Sequence, residues 1–275
     1  MRLLIIGGNG MAGHMLNQYF KRRTSHSVFY TTREAVDPQG IVLDVRDQAG
    51  LESIIDTVQP DAVINCVALL NDNASCNELD SFKINSMLPH QLRTILERRG
   101  SKLIHISTDC VFSGKRGDYI ETDLPDWTSV YAKTKILGEV ISDKHLTIRT
   151  SIVGPEIRSH GIGLLHWFMQ QRGAVSGYTQ VLWNGVTTLQ LAKAVDDMLR
   201  DGVTGLIHLA SHGKISKRDL LLLFQEIFEK NDVTVVPDDT PIQDRTLKSV
   251  RTDYRYQVPD YREMLLELRS WMRLN

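Results

Sequence analysis

Near the start of the chain an all-apolar run, residues 3–6, leads directly into Gly7, Gly10 and Gly13, and these open an amphipathic stretch over 11–21. Few architectures place three glycines between a strand and a helix at this spacing. Without Cβ atoms the backbone can turn tightly and come close to another group, and the first turn of the helix offers unpaired amides and the positive end of its dipole. The segment therefore reads as a phosphate turn for a dinucleotide, and it fixes a strand–turn–helix unit at the head of a parallel sheet. The spacing is Gly-x-x-Gly-x-x-Gly, not the Gly-x-Gly-x-x-Gly of many dehydrogenases.

The next 130 or so residues keep the same rhythm. Strands are expected at 28–31, 41–43, 62–65, 103–107 and 146–150, and helices at 48–58, 81–99 and 130–142. Alternation of this kind implies parallel strands joined by right-handed crossovers, an α/β Rossmann-type doubly wound sheet whose ligands bind at the carboxyl ends of the strands. After Thr150 glycines at 154, 161, 163, 173, 177 and 185 break the chain into shorter pieces, before helices near 189–199 and 217–229 with a strand at 206–209 between them. A Leu- and Arg-rich segment, 258–274, suits a capping helix. The expected division is an NAD(P)-binding domain over 1–155 and a smaller C-terminal α/β substrate-binding lobe over 156–275, with chain exchange between the two allowed; 275 residues suffice for both.

With 42% hydrophobic and 24% charged residues and a net charge of −1, no global field favours nucleic acid. An anionic ligand has to be held locally. No run reaches the roughly 18 apolar residues of a membrane span, and 1–6 is too short for a signal peptide, so a cytoplasmic protein is expected. Cys66, Cys76 and Cys110 are odd in number and lack Cys-x-x-Cys spacing, which suits reduced thiols; His160 and His166 lack metal-ligand spacing, and no metal site is expected.

Two further clusters point to carbonyl chemistry. Tyr131 and Lys135 lie four apart and so share one helix face. A phenol can protonate a carbonyl oxygen as hydride reaches the carbon, and a neighbouring ammonium favours the phenolate and lowers a pKa of about 10. The strand at 103–107 ends in Ser107-Thr108-Asp109, which puts the Thr108 hydroxyl where it can bond the same oxygen, and Lys135 could also reach the nicotinamide ribose. At the end of the second strand the sequence runs Tyr30-Thr31-Thr32-Arg33; Arg33 suits a 2′-phosphate and favours NADPH, with NADH as the alternative. Asp44-Val45 is placed to meet the adenine edge.

Taken together, Gly7-Gly8-Asn9-Gly10-Met11-Ala12-Gly13, Asp44-Val45-Arg46-Asp47, Pro60-Asp61-Ala62-Val63-Ile64-Asn65-Cys66, Ser107-Thr108-Asp109-Cys110-Val111-Phe112-Ser113-Gly114, Tyr131-Ala132-Lys133-Thr134-Lys135 and Arg149-Thr150-Ser151 resemble the extended short-chain dehydrogenase/reductases, and within them the dTDP-4-dehydrorhamnose reductase family. The resemblance is strong over about the first 155 residues and looser beyond. It implies NAD(P)H-dependent reduction of the 4-keto group of a nucleotide-linked 6-deoxysugar, with Thr108, Tyr131 and Lys135 catalytic. It further implies cofactor contacts from Gly7, Asn9, Gly10, Met11, Ala12, Gly13, Arg33, Asp44, Val45, Cys66, Val67, Ala68, Asn85, Ser107, Tyr131, Lys135, Thr150 and Ser151. Substrate contacts would come from Asp109, Cys110 and Val111, and from Trp183, Asn184 and Arg245, whose aromatic, amide and guanidinium suit a base, a sugar hydroxyl and a diphosphate. Cys110 stands where the family usually has an aromatic residue, and 69–78 differs from the family's substrate-facing segment; both bear on which sugar is used.

The same scaffold also serves sugar-nucleotide epimerases, which hold NAD tightly, and the non-catalytic β subunit of methionine adenosyltransferase. Arg33 disfavours the former, and no charged tail suggests the docking role of the latter. The acidic pair of the related 4,6-dehydratases is reduced here to Asp109. A homodimer is left open by the sequence.

Overall fold

A computed structural model describes residues 1–34, 37–158 and 161–274, apart from the side chains of Asn71 and Asp72; His160 lies outside the described residues. The first half runs β1 (Arg2–Ile6), α1 (Met11–Arg23), β2 (Ser27–Thr32), β3 (Ile41–Val42), α2 (Gln48–Val58), β4 (Ala62–Asn65), α3 (Asn71–Cys76), α4 (Glu78–Ser81), a π-helical turn (Phe82–Met87), α5 (Leu88–Glu97), β5 (Lys102–Thr108), α6 (Val130–Leu137) and β6 (Leu146–Thr150). The second half contributes β7 (Ile152–Val153), α7 (Leu164–Gln170), β8 (Gly173–Tyr178), β9 (Val181–Trp183), β10 (Val186–Thr187), α8 (Thr188–Arg200), β11 (Gly205–Leu209), β12 (Ile215–Ser216), α9 (Lys217–Ile227), β13 (Val233–Asp238), β14 (Gln243–Asp244) and α10 (Tyr261–Arg273).

Seven parallel strands form the main sheet in the order β11-β6-β5-β4-β1-β2-β3. Leu3, Leu4, Ile5 and Ile6 of β1 are fully buried, as a strand covered on both faces requires. From β1 the chain winds one way to β2 and β3, then returns to β4 on the other side. The reversal opens a crevice above the carboxyl ends of β1 and β4, where Ile6 pairs with Asn65.

Three differences from the sequence reading have physical causes. Residues 206–209 do not belong to a separate lobe: β11 pairs along the outer edge of β6, from Gly205 against Leu146 to Leu209 against Thr150, because β6 would otherwise leave its backbone groups unpaired. A break at residue 155 therefore cuts the sheet from its last strand, and one core joins Met15, Leu16 and Phe20 of α1 to Leu191, Val195 and Met198 of α8. Second, the helix expected over 130–142 stops at Leu137, where Gly138 caps it; a Cβ on Gly138 would lie 1.9 Å from the Asn85 carbonyl oxygen, so the chain passes a neighbouring helix too closely for any other residue. Third, the helix expected over 81–99 starts at Glu78, ends at Glu97 and contains the π turn. The later segments form small sheets of their own: β13 beside β8, β10 beside β7, and β12, β9 and β14 together.

Tight packing also explains one turn glycine. A Cβ on Gly13 would sit 2.2 Å from the Gly7 carbonyl oxygen, a backbone atom with no rotamer to yield. Gly13→Ala is expected to push α1 off β1 and to cost about 1–3 kcal/mol, measurable as a lower midpoint in thermal unfolding. An unchanged midpoint would show that the turn adapts.

Candidate active site

The turn after β1 presents a helix start without a side-chain cap: Gly10 is the N-cap of α1 and no side chain accepts from its amides. The Gly7 amide is used by the Thr31 hydroxyl at 3.1 Å and the Gly10 amide by the Gly7 carbonyl at 3.0 Å, whereas among the described residues the amides of Met11 and Ala12 have no partner. Donors of this kind suit a pyrophosphate. A cleft of about 310 Å³ runs from here, lined by Gly7, Asn9, Gly10, Arg33, Asp44, Val45, Cys66, Val67 and Ala68 among others. Most of the cofactor residues expected from sequence thus meet in one crevice.

Its far end is positively charged but partly committed. Arg46 holds Asp44 at 2.5 Å and Asp80 at 2.7 Å, and that guanidinium draws the Asp44 carboxyl down to about 2. Glu34, next to Arg33, accepts from Arg158 at 3.2 Å and from the Asn9 amide at 3.4 Å. Arg33 is exposed and, among the described residues, has no ion pair, which leaves it available to a ligand anion. The dinucleotide site expected from sequence therefore fits: uncapped amides at one end, an unpaired guanidinium at the other.

Thr108, Tyr131 and Lys135 are all buried, and β5 and α6 bring them together. Ser129 caps α6 by accepting from the Ala132 amide, which orients the first turn carrying Tyr131. The Thr108 side chain hydrogen-bonds the Tyr131 phenol and also accepts from the Cys110 amide at 3.1 Å. Contrary to the sequence expectation, the phenol is pushed well above its ordinary value by burial, with Cys110 and Asp109 adding to the rise and Thr108 opposing it. Lys135 Nζ is engaged elsewhere, 3.1 Å from His105 Nε2 and 2.8 Å from the Ile106 carbonyl. Burial lowers Lys135 to about 8, against the pull of Glu139 and Cys66.

Other expected contacts serve the framework. Ser107 Oγ donates to Glu139 Oε1 at 2.8 Å, and the Ser151 hydroxyl accepts from Trp183 Nε1 at 2.9 Å. Thr150 is buried and its hydroxyl bonds only the Ser151 carbonyl, at 3.4 Å. Asn85 fastens the Leu69 backbone through both amide atoms, at 2.8 and 2.9 Å, and donates to Thr134 Oγ1 at 3.1 Å; it ties the segment after β4 to α6 from within the π turn. Val111 is fully buried in a small core with Phe112, Tyr119 and Leu247. Trp183 is buried, and Asn184 spends its amide on Ser211 and on both backbone groups of Leu247. A side chain with every polar atom used locally has none left for a sugar hydroxyl.

Asp109, Cys110 and Arg245 do converge. Arg245 Nη1 lies 3.5 Å from Cys110 Sγ, and its guanidinium stacks 5.1 Å from the Trp127 ring. Burial raises both Asp109 and Cys110, the thiol to about 12, while Arg245 works against each rise. Residues 1–253 match the family model described as the RmlD substrate binding domain. The chain belongs to that family. Among RmlD-family relatives it is 25% identical over 229 residues to the dTDP-4-keto-6-deoxy-D-glucose reductase of Streptomyces niveus, covering 80% of this chain and 76% of the relative. It is 33% identical over 156 residues to the dTDP-4-dehydrorhamnose reductase of Aggregatibacter actinomycetemcomitans, which is 54% of this chain and only 51%, about half, of the relative's length. The fold matches a dTDP-4-dehydrorhamnose reductase from Bacillus anthracis str. Ames, solved in complex with NADP, with a TM-score of 0.80 at 18% identity over 98% of this chain and 99% of that one.

Within this RmlD-type site the sequence reading missed Lys217 at the start of α9. It stands 5.1 Å from the Trp183 ring, is lowered by burial to about 8 with Asp109 and Cys110 opposing, and borders an apolar cavity of about 560 Å³ that also includes Trp167, Val175 and Tyr178. Nothing in the local sequence distinguishes Lys217 from a solvated helix charge; only the approach of α9 to β5 reveals it. Among the described residues no cluster of His, Cys, Asp and Glu could hold a metal, and no helix is long and apolar enough to cross a membrane.

Proposed function

We propose that this chain is an NADPH-dependent reductase of the 4-keto group of a nucleotide-linked 6-deoxysugar, working in the cytoplasm. The observation that carries the reading is the meeting of the Tyr131 phenol and the Thr108 side chain at the carboxyl end of β5, beside the cleft at the switch point of the sheet. NADPH, when bound, supplies the hydride. The Tyr131 phenol donates its proton to the carbonyl oxygen that becomes the hydroxyl, and Thr108 bonds the same oxygen and the phenol. A phenol held protonated by burial remains a proton source until charge builds on that oxygen. Asp109, Cys110, Arg245 and Lys217 face the sugar nucleotide, with the two cations suited to its diphosphate and the apolar cavity to its base. In this division of labour the sheet holds the cofactor and the later segments hold most of the substrate.

The reading is tested by incubating the protein with NADPH and a panel of nucleotide-linked 4-keto sugars while following absorbance of the reduced cofactor. Oxidation that depends on one of the sugars is the expected result; no oxidation with any of them, or a purified protein that retains NAD and interconverts sugar epimers, overturns it. For the cofactor, Arg33→Ala is expected to weaken NADPH about tenfold more than NADH, since a charge-assisted bond to the 2′-phosphate is lost only from the former. Equal losses measured by cofactor fluorescence would remove Arg33 from phosphate recognition.

A further inference from the structure

Beneath the catalytic pair lies a buried chain of polar groups to which the proton and hydride transfers assign no task. Asn65, at the end of β4, and His105, within β5, are both fully buried. Asn65 Oδ1 accepts from the Val67 amide at 3.2 Å, so its Nδ2 faces His105 Nδ1, also at 3.2 Å. An amide nitrogen can only donate. His105 Nδ1 is therefore the bare, accepting nitrogen, and the proton of the neutral imidazole sits on Nε2. Burial, Lys135 and His90 keep His105 neutral by pushing it well below its ordinary value.

That tautomer has a consequence for Lys135, whose Nζ lies 3.1 Å from His105 Nε2. An ammonium has no lone pair and would meet an N–H head on. A neutral amine accepts from Nε2–H and still donates to the Ile106 carbonyl at 2.8 Å, satisfying every group. We infer that His105 is a positioning residue for the reduction: with its tautomer fixed by Asn65 and Val67, its Nε2–H holds Lys135 as the amine and lowers its affinity for a proton.

Lys135 takes up a proton only by giving up this contact, or by forcing His105 to the other tautomer. The second route would turn the Asn65 amide and strip the Val67 amide of its acceptor. Because Val67 lines the cofactor cleft, the ionisation of Lys135 is tied to the backbone on which the cofactor lies. The other groups facing the pair act on Lys135 in the opposite sense: Glu139, which is itself bound to Arg149 at 2.7 Å and to Ser107, and the Cys66 thiol both favour the ammonium, while His90 acts on His105 from α5. Burial and the His105 contact together outweigh them.

The proposal rests on the reductase reading for its kinetic consequence and not for its geometry, and two measurements separate the two. Two-bond 1H–15N correlation of the histidine side chains, recorded without substrate, is expected to show His105 protonated at Nε2 and bare at Nδ1, with no titration above about pH 6. A proton on Nδ1 overturns the proposal whatever the enzyme's activity. In the pH profile of reduction, activity should fall as pH rises through the Lys135 pKa, because the ammonium stabilises the phenolate left when Tyr131 gives up its proton. His105→Phe removes the donor to the amine, raises that pKa and should move the falling limb up by about one pH unit, a tenfold gain in proton affinity. His105→Gln restores an amide donor and should return the limb toward that of the native protein. An unmoved limb in a folded His105→Phe protein, or equal shifts in both variants, overturns the assignment, and if His105→Phe does not fold the correlation spectrum decides alone.

Discussion

Tyr131→Phe is expected to lower the rate of NADPH-dependent reduction by roughly 10²–10⁴-fold while changing NADPH affinity by less than about twofold. The asymmetry follows from where the phenol sits. Its ring is buried against α6 and β5, and its oxygen meets Thr108, so the substitution removes one oxygen atom and no packing. The substituted ring would leave the glycine turn, the cleft and the Arg33 end untouched. Single-turnover oxidation of NADPH together with a fluorescence titration of the cofactor checks both halves. Retained turnover would remove Tyr131 as the proton donor; lost NADPH binding would give it a structural role instead.

The largest effect on stability is expected at Glu139, which the sequence reading passed over. Glu139 and Arg149 form a two-pronged ion pair at 2.7 Å with side chains only 4% and 3% exposed. Arg149 also lies 3.3 Å from His208 Nε2 and 5.2 Å from the Phe112 ring, so one guanidinium joins β6, β11 and the loop after β5. Glu139→Ala leaves that charge buried and unpaired, at a cost of about 3–5 kcal/mol. Replacing both partners with methionine should recover much of the loss, because desolvation is then removed along with attraction. Chemical denaturation of the single and double variants tests this, and a Glu139→Ala protein within about 1 kcal/mol of the native one would show that water or His208 already screens the guanidinium.

Much of the fold was legible from periodicity. The helix over 48–58 and the strands over 62–65 and 146–150 appear with the bounds expected, because each is a compact apolar run or a strongly amphipathic one with clear breakers at its ends. The glycine turn, Thr108, Tyr131 and Lys135 were legible for a related reason: each depends on local spacing within one strand, turn or helix. What failed was pairing over distance. The strand at 206–209 looks the same in sequence whether it joins a second lobe or completes the main sheet, and Trp183 and Asn184 look like ligand contacts until their partners Ser151, Ser211 and Leu247 are seen.

The sequence by itself determined the class of fold, the dinucleotide turn and the order of the catalytic side chains, since helix and strand periods and backbone freedom at glycine are written locally. Only the tertiary structure decided what surrounds those side chains. It raised the Tyr131 phenol by burial instead of lowering it, turned Lys135 toward His105, placed Lys217 beside Asp109 and gave Glu139 to Arg149. Desolvation and the nearest charge set a group's proton affinity, and both are properties of neighbours brought from elsewhere in the chain.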